Sequence, residues 1–243
     1  MSVLIKNSGL ILRTVKYGDS SLIADIFTET HGLKSFILQG ARKSKSPYAP
    51  ASLQIMAQVQ LDYYDNQNGN LHRVKELKLE RFWEKIPLDY PRRAIGLFLC
   101  EITFLSLHKF QSDAELYLLL SESLDFLDSS DVYLDLHLWY LIQLAHHQGI
   151  GIGEYQSLDT EDVQLNESAI ASIYSQKLLS EKRKFIFEKI ISLGAVKLID
   201  INNLVFNTTE RKMILQELIQ YFMLHNDRFE RLKSINVLQD VFN

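Results

Sequence analysis

The feature that most constrains the fold is a change in the period of the hydrophobic pattern near residue 81. Before this point, short runs alternate apolar and polar residues and end at turn signals such as Tyr17-Gly18-Asp19-Ser20. A period of two is typical of half-buried strands. After Arg81, apolar residues recur at spacings of three and four, which indicates helix faces. The sequence therefore predicts an α+β protein, with a β-rich domain over residues 1–80 and an all-α domain over residues 81–243.

Five runs in the first domain predict strands, at residues 9–15, 22–28, 33–39, 53–64 and 71–79. The run 53–64 has the longest alternation, and Asn68-Gly69 after it favours a tight hairpin because both residues tolerate positive φ. Five short strands in one small domain predict a closed or nearly closed five-stranded barrel, since closure removes unpaired edges.

The second domain shows four strong helical patterns and one weak one. The strong patterns cover residues 95–105, 114–127, 132–148 and 209–224, and the weak one covers 167–194. The third pattern is apolar on nearly every side, which predicts a central buried helix that ends at Gly149. Thr208 is the predicted N-cap of the helix at 209–224. A last short helix is predicted at about 232–241.

Composition excludes several classes of protein. Hydrophobic residues make up 47% and charged residues 23% of the 243 residues, so the chain has enough apolar surface to fold. The single cysteine, Cys100, excludes a disulfide framework and a Cys-rich zinc module. No segment approaches the roughly 20 apolar residues that span a bilayer, and the N-terminus does not have the pattern of a signal peptide. We therefore expect a cytoplasmic protein without a metal, a cofactor or a membrane partner.

Charge is divided unequally between the two parts. Residues 1–80 hold 10 Lys and Arg against 7 Asp and Glu, a balance of +3, and residues 81–243 hold 16 against 23, a balance of −7. Three cations lie in the loop Arg42-Lys43-Ser44-Lys45, and others lie on or near the predicted strands: Arg13, Lys16, Lys34, Arg73, Lys75 and Lys78. Interleaved aromatic residues are able to stack bases: Tyr17, Phe36, Tyr48, Tyr63 and Tyr64. This combination suits a nucleic-acid backbone, but a solvated loop on a well-packed barrel has the same composition.

The sequence gives little support to an enzyme. No nucleophile elbow, phosphate loop or HExxH motif is present. His146-His147 does not have the spacing of a metal chelate, and Cys100 lies in an apolar helical run typical of a core residue. Three classes other than a DNA-binding protein fit the same residues: an RNA-binding barrel, a protein-interaction scaffold, and a hydrolase with no recognisable motif.

Several short motifs occur in a specific order at the two ends of the chain. The N-terminal motifs are Gly9-Leu10-Ile11-Leu12-Arg13-Thr14, Tyr17-Gly18-Asp19-Ser20, Phe27-Thr28, His31-Gly32, Gly40-Ala41-Arg42-Lys43 and Gly69-Asn70-Leu71-His72. The C-terminal motifs are Asn207-Thr208-Thr209-Glu210-Arg211, Tyr221-Phe222-Met223-Leu224-His225 and Leu232-Lys233-Ser234-Ile235-Asn236-Val237-Leu238. In this order and spacing they resemble the bacterial RecO family of recombination mediators, whereas the middle of the chain matches only in helical character.

The resemblance implies an N-terminal OB-fold, a C-terminal helical domain and a non-enzymatic role in homologous-recombination repair. Members of this family bind single- and double-stranded DNA and anneal complementary strands in the response to DNA damage (the SOS response). They act with RecR, and with RecF in many bacteria, to load RecA onto DNA coated by the single-strand binding protein SSB. They also bind the acidic C-terminal tail of SSB. The implied location is the cytoplasm, in association with the nucleoid.

The zinc site of the family is the main departure. Many members carry four zinc-binding cysteines in the helical domain, but residues 145–180 of this chain contain none. The helical domain is therefore predicted to be a variant without zinc, in which packing replaces the metal.

The resemblance also assigns roles to individual residues. The implied DNA contacts are Arg13, Lys16, Lys34, Arg42, Lys43 and Lys45. Gly18, Gly32 and Gly40 are expected to supply backbone angles that other residues resist. An acidic SSB tail requires cations in the acidic domain, and the candidates are Lys182, Arg183, Arg211, Lys212 and Lys233.

Overall fold

The structure is a computed structural model that describes residues 4–65, 70–107, 111–151, 181–203 and 206–241, with the backbone alone at 181–187, 202 and 203. Contacts divide the chain into two compact units, Met1–Ser129 and Ser130–Asn243. Each unit is described by itself.

The first unit is built on a closed barrel of five strands: β1 Leu4–Tyr17, β2 Ser21–Thr28, β3 Gly32–Leu38, β4 Gln58–Tyr64 and β5 His72–Arg81. The strand order around the barrel is β1-β2-β3-β5-β4. Neighbouring strands are antiparallel except β3 and β5, which are parallel, with Phe36 opposite His72. This five-stranded order is an OB-fold, so the predicted fold of the N-terminal part is confirmed.

The strand predicted over residues 53–64 begins only at Gln58. Residues Pro50–Leu53 form a 3-10 helix instead, and Met56 has a positive φ of 75°. The amide of Met56 donates to the carbonyl of Ile11 at 2.8 Å, and the buried Ala57 joins the barrel core. The alternation from 53 to 57 does not mark a strand, because this segment, here called the barrel cap (residues 50–57), forms a 3-10 helix and then turns at Met56. Asn68 and Gly69 lie outside the described residues.

Two helices, α1 Tyr90–Ser106 and α2 Ala114–Ser129, complete the first unit. The carboxylate of Asp89 caps α1 by accepting the amide of Arg92. The rings of Phe27 and Tyr117 meet edge to face, with centroids 5.6 Å apart. The strands end at Arg81, close to the predicted change of secondary structure, but contacts group these two helices with the barrel. The division at residues 80 and 81 stays a prediction.

The second unit contains the helices α3 Leu136–His147, α4 Glu181–Gly194, α5 Thr208–His225 and α6 Ser234–Val241, with short 3-10 helices at Leu198–Asn203 and Asp227–Arg231. Helix α3 is buried from Leu136 to Ile142, as its apolar sequence predicts. Asn207, rather than the predicted Thr208, caps α5, because its side chain and that of Glu210 form a reciprocal capping box. None of the described helices is both long enough and apolar enough to cross a membrane.

Candidate nucleic-acid interface

Two tight turns lie side by side at one end of the barrel. One joins β1 to β2 at Gly18, and the other follows β3 at Gly40. The amide of Arg42 donates to the carbonyl of Ser20 at 2.9 Å, and its Nη1 donates to the carbonyl of Gly18 at 3.1 Å. Gly18, Gly32 and Gly40 have φ values of 55°, 66° and 73°, which confirms their predicted role as backbone devices.

These turns bring together four of the six cations predicted to contact DNA. Lys16, Arg42, Lys43 and Lys45 are all exposed, and we call this cluster the basic end. Asp19 is the one acidic residue in the two turns, so their net charge is +3. Several cations fixed on one rigid scaffold form a surface that suits a phosphate backbone.

The structure does not bring the other two predicted cations to the basic end. The side chain of Lys34 is only 11% exposed, and its ammonium lies 3.4 Å from the carboxylate of Asp65. The guanidinium of Arg13 lies 4.0 Å from Asp25 and 5.4 Å from the ring centroid of Phe104. Lys34 therefore neutralises a partly buried carboxylate, and Arg13 packs beside α1.

The aromatic residues predicted to stack bases divide into core and surface. Phe36 and Tyr63 are fully buried in the barrel, and burial raises the pKa of the Tyr63 hydroxyl to about 12. Tyr48 is half-buried and packs against the barrel core. Tyr17 and Tyr64 are 50% and 41% exposed, so only these two present enough ring surface to stack on a base.

A groove of about 280 Å³ lies between β5 and the loop that follows β3, and its lining includes Gln39, Pro47, Tyr48, Arg73 and Lys75. Arg73 donates from Nη2 to the side-chain oxygen of Gln39 at 2.8 Å. Burial raises the pKa of Tyr48, while the nearby positive charge of Arg73 lowers it. Both cations are visible in the sequence, but their position beside this loop depends on the parallel pairing of β3 with β5.

A second groove on the barrel has the opposite character. It measures about 450 Å³ and is lined by Lys6, Glu29, Asp62, Glu76, Lys78 and Glu80, among others. Lys78 pairs with Glu76 at 2.8 Å, and Lys6 pairs with Asp62 at 3.7 Å. With four carboxylates against two ammonium groups, this acidic groove repels phosphate. Of these two grooves, the one that Arg73 and Lys75 line suits a phosphate backbone, and it adjoins the basic end.

The cations predicted to hold an SSB tail differ in accessibility. Arg211 is 8% exposed, donates from Nε to Asp135 at 2.6 Å and donates from Nη2 to the carbonyl of Phe206. The expectation of a surface role for Arg211 is corrected accordingly, because its charge neutralises a buried carboxylate. Lys212 is half-buried and Lys233 is exposed. The side chains of Lys182 and Arg183 lie outside the description.

The described residues offer little for covalent or metal chemistry. Cys100 is fully buried in α1, and burial raises the pKa of its thiol to about 12, so the reactive thiolate does not form near neutral pH. One buried cysteine does not fit the four-thiolate zinc site of many RecO-like proteins. Across the described parts of the chain, no group of three or more His, Cys, Asp or Glu side chains is placed to hold a metal.

Comparison with known proteins identifies the family. The family model for "Recombination protein O N terminal" matches residues 1–83, and that for "Recombination protein O C terminal" matches residues 87–179. The chain belongs to the RecO family. It is 28% identical over 240 residues to DNA repair protein RecO of Flavobacterium psychrophilum, covering 98% of this chain and 99% of the relative. It is also 28% identical over 244 residues to DNA repair protein RecO of Bacteroides fragilis, covering 99% of this chain and all of the relative.

Membership of the RecO family supports a role in DNA repair by recombination. The basic end lies within the residues matched by the N-terminal family model. The predicted family resemblance is therefore confirmed by matches that extend along nearly the whole chain.

Proposed function

We propose that this protein is a non-enzymatic recombination mediator that binds single- and double-stranded DNA through the basic end. The observation that carries the proposal is the docking of the Arg42 loop on the β1–β2 turn, which holds four exposed cations in one place. Phosphate contacts from such a surface depend little on base sequence. This property suits a protein that must act at any damaged site.

The proposal extends to annealing and to protein partners. Bound strands whose backbones are neutralised repel each other less, which favours pairing of complementary sequences. With RecR, and with RecF where it takes part, the protein helps to load RecA onto SSB-coated single strands. The acidic tail of SSB binds the second unit, where Lys233 and Lys212 are the described candidates and Lys182 and Arg183 are the others.

The first experiment tests the basic end through the salt dependence of binding. Each phosphate contact with a single strand contributes about 0.7 to the slope of log Kd against log salt, so replacing Arg42, Lys43 and Lys45 by Ala lowers the slope by about two. Lys78→Ala is the matched control, because this lysine pairs with Glu76 in the acidic groove. An unchanged slope in the triple variant contradicts the assignment.

The second experiment tests the finer activity. Complementary oligonucleotides coated with the SSB of the same organism should anneal faster with the protein than without it, and more slowly with the triple variant. Equal affinity for RNA, combined with no acceleration of annealing, favours an RNA-binding barrel instead. Binding to SSB without annealing favours a protein-interaction scaffold.

A further inference from the structure

An apolar pocket lies between the barrel cap and the segment that follows β5, within the first unit. It measures about 250 Å³, and its lining includes Ile55, Met56, Phe82, Trp83, Arg81 and Arg93. The two arginines are the charged residues of the lining, and both are cationic. The pocket therefore combines apolar walls with two guanidinium groups.

Several hydrogen bonds hold the segment around Trp83 that lines this pocket. The indole N–H of Trp83 donates to the carbonyl of Met56 at 3.0 Å, and the indole is only 6% exposed. The carboxylate of Asp128 accepts the backbone amides of Glu84, Lys85 and Ile86 at 2.8–3.0 Å. Because these contacts fix residues 83–86, a ligand would enter a pocket that is already formed, at a small cost in ordering.

Aromatic rings and guanidinium groups lie close together in the lining, at Arg81, Phe82, Trp83 and Arg93, and Tyr90 lies beside Arg93 outside the lining. Phe82 is 68% exposed, although its neighbour Trp83 is buried, and Tyr90 is 52% exposed. The guanidinium of Arg81 lies 5.0 Å from the Trp83 ring centroid, and that of Arg93 lies 5.9 Å from the Tyr90 ring centroid. Aromatic rings and guanidinium planes are the groups on which unpaired bases stack.

The chain connects this pocket directly to the basic end. The loop that carries Arg42, Lys43 and Lys45 runs into the barrel cap, whose residues Ala51 and Met56 line the pocket. Ser46 and Ala51 are five residues apart, so their Cα atoms are at most about 18 Å from each other. A single strand held at the basic end is therefore within reach of the pocket.

We propose that this pocket is a base-binding subsite for single-stranded DNA. Phe82 stacks on one unpaired base, and Arg93 contacts the adjacent phosphate. Arg81 contributes less to phosphate binding because it pairs with Asp125 at 2.5 Å. This inference rests on the proposed function, since it concerns the same DNA strand. Paired bases are unable to enter, so the pocket favours single strands over duplex.

The test measures binding of a fluorescent oligothymidylate and of a duplex to the full chain. Phe82→Ala should weaken single-strand binding by about 5- to 150-fold, from about 1–3 kcal/mol per stacked base. Its salt slope and its duplex affinity should not change. Arg93→Gln should lower the single-strand slope by about 0.7. Phe82→Trp should bind single strands at least as tightly as the natural protein, because the indole offers a larger stacking surface.

Two controls separate the possible outcomes. Leu88→Ala removes another exposed side chain, at 86% exposure, outside the pocket lining, and should change nothing. If the basic-end variant loses affinity while Phe82→Ala and Arg93→Gln bind single strands normally, the subsite is refuted and the proposed function stands. If neither set affects DNA binding, the proposed function fails as well. Loss of binding to an SSB-tail peptide, with single-strand affinity intact, assigns the pocket to an acidic peptide instead.

Discussion

Gly32, in the barrel, lies close to the backbone of Gln111, which is between α1 and α2 in the chain. A substitution at Gly32 therefore tests how tightly the barrel packs against the segment that joins these helices. Gly32 begins β3 with a φ of 66°. A Cβ at this position would lie 1.9 Å from the carbonyl oxygen of Gln111. Gly18 has a similar φ of 55°, but its Cβ would meet nothing within 4 Å. Comparing Gly32→Ala with Gly18→Ala therefore separates the cost of backbone strain from the cost of the steric contact.

The magnitudes follow from these two environments. Alanine in the left-handed region costs about 1–2 kcal/mol, and this cost applies at both positions. At Gly32 the methyl group must also displace a backbone carbonyl, and overpacking of this kind costs about 1–3 kcal/mol more. We therefore expect Gly32→Ala to lower the free energy of unfolding by about 2–5 kcal/mol in total. Gly18→Ala should lower it by about 1–2 kcal/mol.

The assay is urea unfolding followed by 19F NMR of protein labelled with 5-fluorotryptophan. The chain has two tryptophans, with Trp83 in the first unit and Trp139 in the second, so their signals report the two units separately. With m near 2 kcal/mol per molar urea, the extra 1–3 kcal/mol corresponds to a midpoint lower by about 0.5–1.5 M. Equal midpoints for Gly32→Ala and Gly18→Ala in the Trp83 signal would refute the steric contact with Gln111.

Four further predictions concern pH, metal, fragments and the SSB tail. Burial lowers the pKa of His137 from 6.5 to about 3. Below pH 6.5 the unfolded chain binds a proton at this residue and the folded chain does not, so the free energy of unfolding is highest above pH 6.5 and falls as pH falls. At pH 5 the loss is about 2 kcal/mol, and the Trp139 signal should show this loss in the natural protein but not in His137→Gln. Prolonged chelation should leave the melting temperature unchanged, and stoichiometric zinc in purified protein would contradict this. A fragment of residues 1–129 should melt cooperatively and bind DNA with the salt slope of the full chain, whereas residues 1–80 lack α1 and α2 and should be much less stable. Lys233→Glu should weaken binding of an SSB-tail peptide by about 1–3 kcal/mol in calorimetry, and an unchanged Kd removes Lys233 from the site.

Local patterns predicted most of the secondary structure but not the pairing of charges. The barrel, the buried helix α3 and the positive φ of three glycines follow from periodicity and turn chemistry. Lys34 and Arg211 looked like surface cations because their carboxylate partners, Asp65 and Asp135, are 31 and 76 residues away in the sequence. A single sequence does not show such long-range pairs.

The candidate site was predicted in part for the same reason. The basic loop is continuous in the chain, so its cations are visible as a run in the sequence. The pocket beside Trp83 combines the barrel cap, the end of β5 and the start of α1. Its position depends on Met56 leaving the strand pattern, which the regular alternation of residues 53–64 concealed.

The two ends of β1 carry opposite electrostatic environments. Ser8 faces the acidic groove, and Lys16 belongs to the basic end, at most about 26 Å further along the strand. The barrel is therefore an electric dipole, and the field of a polyanion exerts a torque that turns the basic end forward before any contact forms. At 0.1 M salt the screening length is about 10 Å, shorter than this separation, so the torque acts only in the last moments of approach. Dilute buffers should raise the association rate more than they lower the dissociation rate, because orientation is then achieved during diffusion rather than after collision.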